Sequence, residues 1–215
     1  MSHTIFGYGS LILIESVIAR FNNQMPDVDE LYKNKNILED NPVTTTNLQD
    51  ILTKYTNLTF TPAKINGFIR TYTFESKRGG TMLEAYYTGR ESDILNGILI
   101  TGLTDKQYEA IQTYEKAYDT YTINPTDFSF YTNNQPDIDI TPCTLYLGGN
   151  SNKTNWTTRK PRNPTYHSRI LAGIEQISHT HSQEIKNEFW KEFTEHTYEY
   201  PNKTLELTKT ELNNF

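Results

Sequence analysis

The sequence predicts an α+β fold, a mixed, curled β-sheet or small barrel with helices packed outside it. Stretches that alternate apolar and polar residues outnumber helical stripes, and the two kinds of segment mostly do not alternate along the chain. The 215 residues suit a single domain carrying an insertion. Hydrophobic residues make up only 35%, but 15 Tyr and 10 Phe supply large side chains, so a tyrosine-rich core is expected.

The elements follow in order. Residues 4–6 read as a short strand, Gly7-Tyr8-Gly9-Ser10 as a tight turn, and 11–21 as a helix with Leu11, Ile14, Ile18 and Phe21 on one stripe. Residues 22–62 turn polar, rich in Asn, Thr and Asp, with one weak amphipathic segment at 48–55; this reads as an insertion or lid. Alternation returns over 63–74 as a strand pair with a bulge or bend at Gly67, followed by a turn at 77–80 and strands at 83–87 and 95–100. Thr104 and Gln107 have capping-box spacing and open a helix reaching about residue 117. Short strands at 121–123 and 144–147 precede a polar loop over 148–163, with Trp156 and a basic cluster of Arg159, Lys160 and Arg162. Helices are expected at 165–177 and 182–194, then an edge strand at 204–207. One domain would thus fill 1–200, with 201–215 a polar tail.

A net charge of −6 argues against a general grip on nucleic acid or on an anionic membrane. No apolar run reaches membrane-spanning length, and the N-terminal run, broken by Gly7, Gly9 and Ser10 with no Lys or Arg before Arg20, is not a signal peptide. Cys143 is the sole cysteine, which excludes an intrachain disulfide and fits a reducing, cytoplasmic setting. It reads as a strand residue. His179 and His181 lack the i, i+4 spacing of a zinc helix, so no metal is expected. Phe189, Trp190 and Phe193 read as core packing or as a dimer contact, leaving monomer and homodimer both open.

Two features could carry chemistry. A glycine-rich turn between strand and helix can point backbone N–H groups and the positive helix end at a carboxylate, phosphate or oxyanion. Gly7 and Gly9 would permit positive φ and close ligand approach, and Ser10 could cap the helix or donate to the ligand. Ile12 stands where a dinucleotide fingerprint needs Gly, and no Gly-Lys-Ser/Thr of a P-loop follows. The competing reading is a plain strand-to-helix turn. Glu115 recurs with Tyr108 and Ile111 on the inward helix face, flanked by Tyr114 and Tyr118. A carboxylate there costs free energy unless paired or used, and burial suits it to take a proton. The competing reading is a solvated Glu, or one paired with Arg70 or Lys116.

Phe6-Gly7-Tyr8-Gly9-Ser10-Leu11-Ile12 resembles the N-terminal signature of the γ-glutamylcyclotransferase superfamily, including its glutathione-degrading ChaC-type branch. Three later blocks resemble the family in order: residues 63–68; Asn96-Gly97-Ile98-Leu99 with Tyr114-Glu115-Lys116-Ala117-Tyr118; and 164–173, a Pro-x-x-Tyr…Ile-x-x-Gly helix. Lys116 stands where many members have Gly, and 22–62 is longer than the compact family pattern needs. The resemblance implies a cofactor-free enzyme releasing 5-oxoproline from a small γ-glutamyl amine, amino acid or peptide. It implies Glu115 as the catalytic base, the backbone of Gly7, Tyr8, Gly9, Ser10 and Leu11 as the substrate cradle, and Tyr118 and Tyr121 as partners of the glutamyl group. The alternative of another class is a non-catalytic module that holds a carboxylate ligand on the same fold.

Overall fold

The computed structural model describes residues 2–21, 45–75, 79–132, 142–148 and 161–198. Strand β1 (His3–Gly7) carries Ile5 and Phe6, both fully buried. It pairs antiparallel with β5 (Ile94–Leu103) and parallel with β8 (Cys143–Leu147). With β2 (Thr59–Asn66), β6 (Asp119–Ile123) and β7 (Phe128–Phe130) these form a sheet ordered β6-β8-β1-β5-β2-β7. A second sheet is ordered β4-β3-β9, with β3 at Phe68–Glu75, β4 at Thr81–Tyr87 and β9 at Thr197–Tyr198. The mixed, curled sheet expected from the alternation is present.

Two boundaries differ from the sequence reading. β2 begins at Thr59, four residues before the alternation becomes regular, because Phe60 and Thr61 are already buried in register with β5. The expected strand pair over 63–74 is not a hairpin. Gly67, at φ +84°, turns the chain from one sheet into the other, its N–H held by Asp93 O at 2.8 Å. Only glycine takes that φ without strain. The outer edge of β4 then closes onto the end of β8 through Gly148 N–H to Ala85 O at 3.0 Å. This contact curls the second sheet against the first.

The expected helix over 11–21 is broken. A 3₁₀ turn (Ser10–Ile12) is followed by extended Leu13, and helix α1 spans Ile14–Phe21. Gln176 causes the break: its Oε1 accepts the Ile14 N–H at 3.1 Å, satisfying an amide that a continuous helix would have used internally. Helix α2 (Thr45–Lys54) covers the weak amphipathic segment. Helix α3 (Asp105–Glu115) opens with the expected capping box, both reciprocal bonds between Thr104 and Gln107 being made. Helix α4 (Pro164–Thr180) has Asn163 as N-cap, accepting from Tyr166 N–H at 2.9 Å, and helix α5 (Gln183–Glu195) is capped by Ser182. No helix among the described residues is long and apolar enough to cross a membrane. The expected strand at 204–207, most of the 148–163 loop, and residues 22–44 lie outside the described residues.

The core joins both sheets and the helices: Phe6, Leu99, Leu145, Ile111, Ile170 and Phe189 are all fully buried. Tyr8, Tyr72, Tyr146 and Tyr166 are buried as well, so the core is tyrosine-rich as expected. Cys143 is a buried strand residue whose thiol pKa is pushed up by that burial. Phe189 and Phe193 pack inward while Trp190 is half-exposed.

Candidate active site

The loop leaving β1 packs too tightly for any side chain at its glycines. A Cβ at Gly7 would fall on Leu11 Cβ, and one at Gly9 would fall on the Tyr166 hydroxyl. Neither glycine has positive φ; Gly9 sits at φ −120°. Their role is close approach rather than turn geometry, which corrects the expectation of positive φ. Behind the loop, Gly173 of α4 lies against the 3₁₀ turn, where a Cβ would meet Leu13 N at 2.6 Å. The glycine-bearing first and last sequence blocks are therefore in contact.

The loop's amides are partly engaged. Ile12 N–H donates to Gly9 O at 3.0 Å, and the Ser10 and Leu83 backbones hydrogen-bond the Tyr166 hydroxyl. The first α-helical amide, Ile14 N–H, is taken by Gln176. The expected helix N-terminus aimed at a ligand is thus replaced by a turn with Tyr166 in its mouth. Ser10 makes no cap; its Oγ accepts from Arg20 Nη2 at 3.2 Å.

That same Nη2 donates to Glu115 Oε1 at 2.7 Å, and Arg20 Nη1 donates to Ser16 O at 2.8 Å. The Arg20 and Glu115 side chains are 6% and 12% exposed, so this is a largely buried ion pair with one end still open to solvent. Glu115 is the last residue of α3, and Arg20 stands one residue from the end of α1. Of the expected alternatives, neither Arg70 nor Lys116 is its partner. Arg70 is fully buried elsewhere, donating to Asn96 O at 2.8 Å and lying over the Phe193 ring.

Three tyrosine hydroxyls meet the edge of β4. Tyr8 Oη accepts from Ala85 N–H at 3.1 Å, Tyr118 Oη donates to Leu83 O at 3.4 Å, and Tyr166 Oη lies at Leu83 and Ser10. Burial is the main force pushing the Tyr8 and Tyr118 pKa values well up, and the neighbouring phenols and the Glu84 and Glu115 carboxylates add to it. All three phenols stay protonated and remain donors at neutral pH. Tyr121 is placed apart, 42% exposed, with its ring packed on Phe68 and Tyr87.

The structure thus gathers Gly7, Tyr8, Gly9, Ser10, Leu11, Glu115 and Tyr118 around one locus and leaves Tyr121 outside it. It adds Arg20 and Glu84, which the sequence reading passed over. The available signal for Arg20 was an arginine inside an otherwise apolar stretch, Val17 to Phe21, where burial demands a partner for the charge. Among the described residues no three His, Cys, Asp or Glu side chains gather as a metal site. Of the basic cluster, Arg159 and Lys160 lie outside the described residues, and Arg162 lies over the Tyr72 ring at 4.6 Å.

No family model matches the sequence, and no curated protein matches it significantly. Among solved structures, a γ-glutamyl cyclotransferase is similar at a TM-score of 0.50 and 13% identity, over 100% of this chain and 98% of that one. An uncharacterized protein from Homo sapiens is similar at a TM-score of 0.50 and 13% identity, over 88% and 86%. At such identity the likeness is one of fold, and it agrees with the order of the four sequence blocks. The chain has the γ-glutamylcyclotransferase-like fold.

Proposed function

We propose that this chain is a γ-glutamylcyclotransferase, releasing 5-oxoproline from a small γ-glutamyl amine, amino acid or peptide. The observation that carries the reading is the single nitrogen, Arg20 Nη2, that bonds both Ser10 Oγ and Glu115 Oε1. It links the two features singled out in sequence, far apart in the chain, and so supports a reading in which they act together.

The chemistry follows from that arrangement. The substrate's α-ammonium gives a proton to Glu115, whose Oε2 makes no hydrogen bond to the described residues while Oε1 is held by Arg20. The freed amine attacks the γ-carbonyl carbon and closes a five-membered ring. The bond to the leaving nitrogen then breaks. Two protons leave the α-nitrogen in all, and Glu115 relays each in turn to the leaving nitrogen, which departs as an ammonium. Because the nucleophile belongs to the substrate, folding it into a near-attack geometry supplies effective molarities on the order of 10⁵–10⁸ M. The proton relay contributes roughly 10²–10⁴-fold. Backbone N–H groups of the loop, with the Tyr8 and Tyr118 hydroxyls, are the donors available to the glutamyl carboxylate and the developing oxyanion. For the loop to serve, the Tyr166 hydroxyl shares or yields its place at Ser10.

The test is incubation of the protein with γ-glutamyl dipeptides, γ-glutamyl amines and glutathione, with detection of 5-oxoproline. Release that is lost in Glu115→Gln supports the reading; absence of product from every substrate overturns it. The ion pair itself favours a second reading, a non-catalytic module in which Glu115 is structural and the loop holds a carboxylate. Saturable binding of a γ-glutamyl compound without turnover would establish that reading instead.

A further inference from the structure

The proposed reaction gives Arg20 no step of its own, yet its guanidinium is fixed from two sides. Nη1 donates to Ser16 O on its own helix at 2.8 Å. Nη2 carries two bonds, to Glu115 Oε1 at 2.7 Å and to Ser10 Oγ at 3.2 Å. A terminal guanidinium nitrogen bears two hydrogens, so each bond takes one and Nη2 keeps none for a substrate. Whatever this nitrogen does for the reaction, it does through the two side chains it holds.

Arginine only donates, so Ser10 Oγ is the acceptor in its bond to Nη2 and cannot turn its own hydrogen back onto Arg20. The Ser10 side chain makes no helix cap and no other bond among the described residues. Its hydroxyl hydrogen is therefore unspent and directed away from the guanidinium. The backbone behind it is pinned: Ser10 N–H meets the Tyr166 hydroxyl, and Ser10 O accepts from Leu13 N–H at 3.4 Å. Ser10 is half-buried, so the hydroxyl is not sealed off. At the other end of the fork Glu115 Oε1 takes the Arg20 hydrogen, and Oε2 has no partner among the described residues. The backbone is pinned here too, Glu115 O accepting from Tyr118 N–H at 2.9 Å. One nitrogen thus leaves a free acceptor, Oε2, beside a free donor, Ser10 Oγ–H. An ammonium and a carboxylate on one carbon, as in a glutamyl group, present the complementary pair.

We propose that Arg20 is a positioning residue: it holds Glu115 by Oε1 so that Oε2 faces the substrate, and it turns Ser10 Oγ–H toward the same substrate as a donor. The serine hydroxyl then serves the reaction only while Arg20 is in place. This rests on the cyclotransferase reading and adds to it the residue that sets its base and a side-chain donor together. An arginine that merely tied α1 to α3 would leave the contribution of Ser10 indifferent to its presence.

The experiment is a double-mutant cycle on kcat/KM for 5-oxoproline release, using wild type, Ser10→Ala, Arg20→Lys and Ser10→Ala/Arg20→Lys, beside urea denaturation of the same four proteins. Arg20→Lys keeps a positive charge next to Glu115, which spares folding, but an ammonium does not reproduce the planar fork. It is expected to lower kcat/KM by about 10²-fold, the cost of misplacing reacting groups. Ser10→Ala is expected to cost about tenfold in the wild-type background, the worth of one hydrogen bond to a charged group, and little more once Arg20 is replaced. Coupling in kcat/KM without matching coupling in stability supports the positioning role. Additive losses, or losses that only track the folded fraction, overturn it. Should Arg20→Lys not fold, the serine decides alone. A tenfold loss in Ser10→Ala that Ser10→Thr restores, at equal urea midpoints, supports the proposal, and unchanged kcat/KM in Ser10→Ala overturns it. If no γ-glutamyl compound yields 5-oxoproline from the wild type, the cyclotransferase reading falls, and the cycle is run on the dissociation constant of γ-glutamylalanine. Coupling there keeps the positioning role; additivity, or no binding, removes it.

Discussion

At the scale of single residues the site turns on a charge pair and a contact without slack. Arg20 and Glu115 are both largely buried, so removing one leaves the other as an uncompensated charge. Glu115→Gln is expected to lower kcat by roughly 10²–10⁴-fold and also to destabilise the fold. Arg20→Met, with the carboxylate left behind, should cost about 3–5 kcal/mol. The double variant Arg20→Met/Glu115→Gln should recover a good part of that loss, because neither charge remains to be buried. Urea denaturation of the four proteins checks this, and strict additivity would mean that the pair is not energetically coupled. The loop makes a second residue-scale prediction. Gly9→Ala places a methyl on the Tyr166 hydroxyl, so it should lower activity and stability. Adding Tyr166→Phe removes the clashing oxygen and should restore stability more than it restores activity, as measured by melting temperature against 5-oxoproline release.

At the scale of elements, two helices deliver the pair. α1 and α3 pack together, and Arg20 and Glu115 stand near their C-terminal ends. A helix C-terminus carries partial negative charge, which disfavours a carboxylate and favours an arginine. Arg20 accepts both roles, donating to the Ser16 carbonyl and to Glu115 at once. The far end of α3 is fixed by its capping box, so Thr104→Ala should cost about 1 kcal/mol in urea denaturation. Activity per folded molecule should stay close to wild type, since the cap lies at the opposite end from Glu115. This helix was legible in sequence because the Thr104–Gln107 spacing is a local signal. So was α4, whose Asn163-Pro164 start and Ile170, Ile174 and Ile177 stripe are local too. Arg20 was not legible as a partner of Glu115, because nothing within reach of one helical turn announces a residue 95 positions away. β7 and β9 escaped for a similar reason. At three and two residues they are too short to show a period, and pairing with β2 and β3 alone makes them strands. The break at Leu13 depends on Gln176, on a different helix, and no pattern inside residues 11–21 could reveal it.

At the scale of the whole molecule, the two sheets meet along a seam where charge is buried, and the seam's electrostatics should be visible in the pH dependence of stability. Glu84 holds its proton more tightly in the folded protein than in the unfolded chain, because burial disfavours its charged form. Between the unfolded value, about 4.3, and the higher folded value, the native state therefore binds more protons. Stability falls as pH rises through that window, and the full penalty is present above it. Two exposed carboxyls shifted the other way, Asp105 by its bond to His3 and Glu184 at the start of α5, add stability as pH rises out of the acid range. They are common to any Glu84 variant and cancel in a difference. Glu84→Gln keeps an acceptor for Thr73 and Tyr86 but has no charge to bury. The gap in melting temperature between Glu84→Gln and wild type should accordingly move in favour of the variant from pH 5 to pH 8. A gap constant with pH would mean that Glu84 titrates as it does in water. Its lack of a counter-charge among the described residues would then carry no energetic weight in the seam between the sheets.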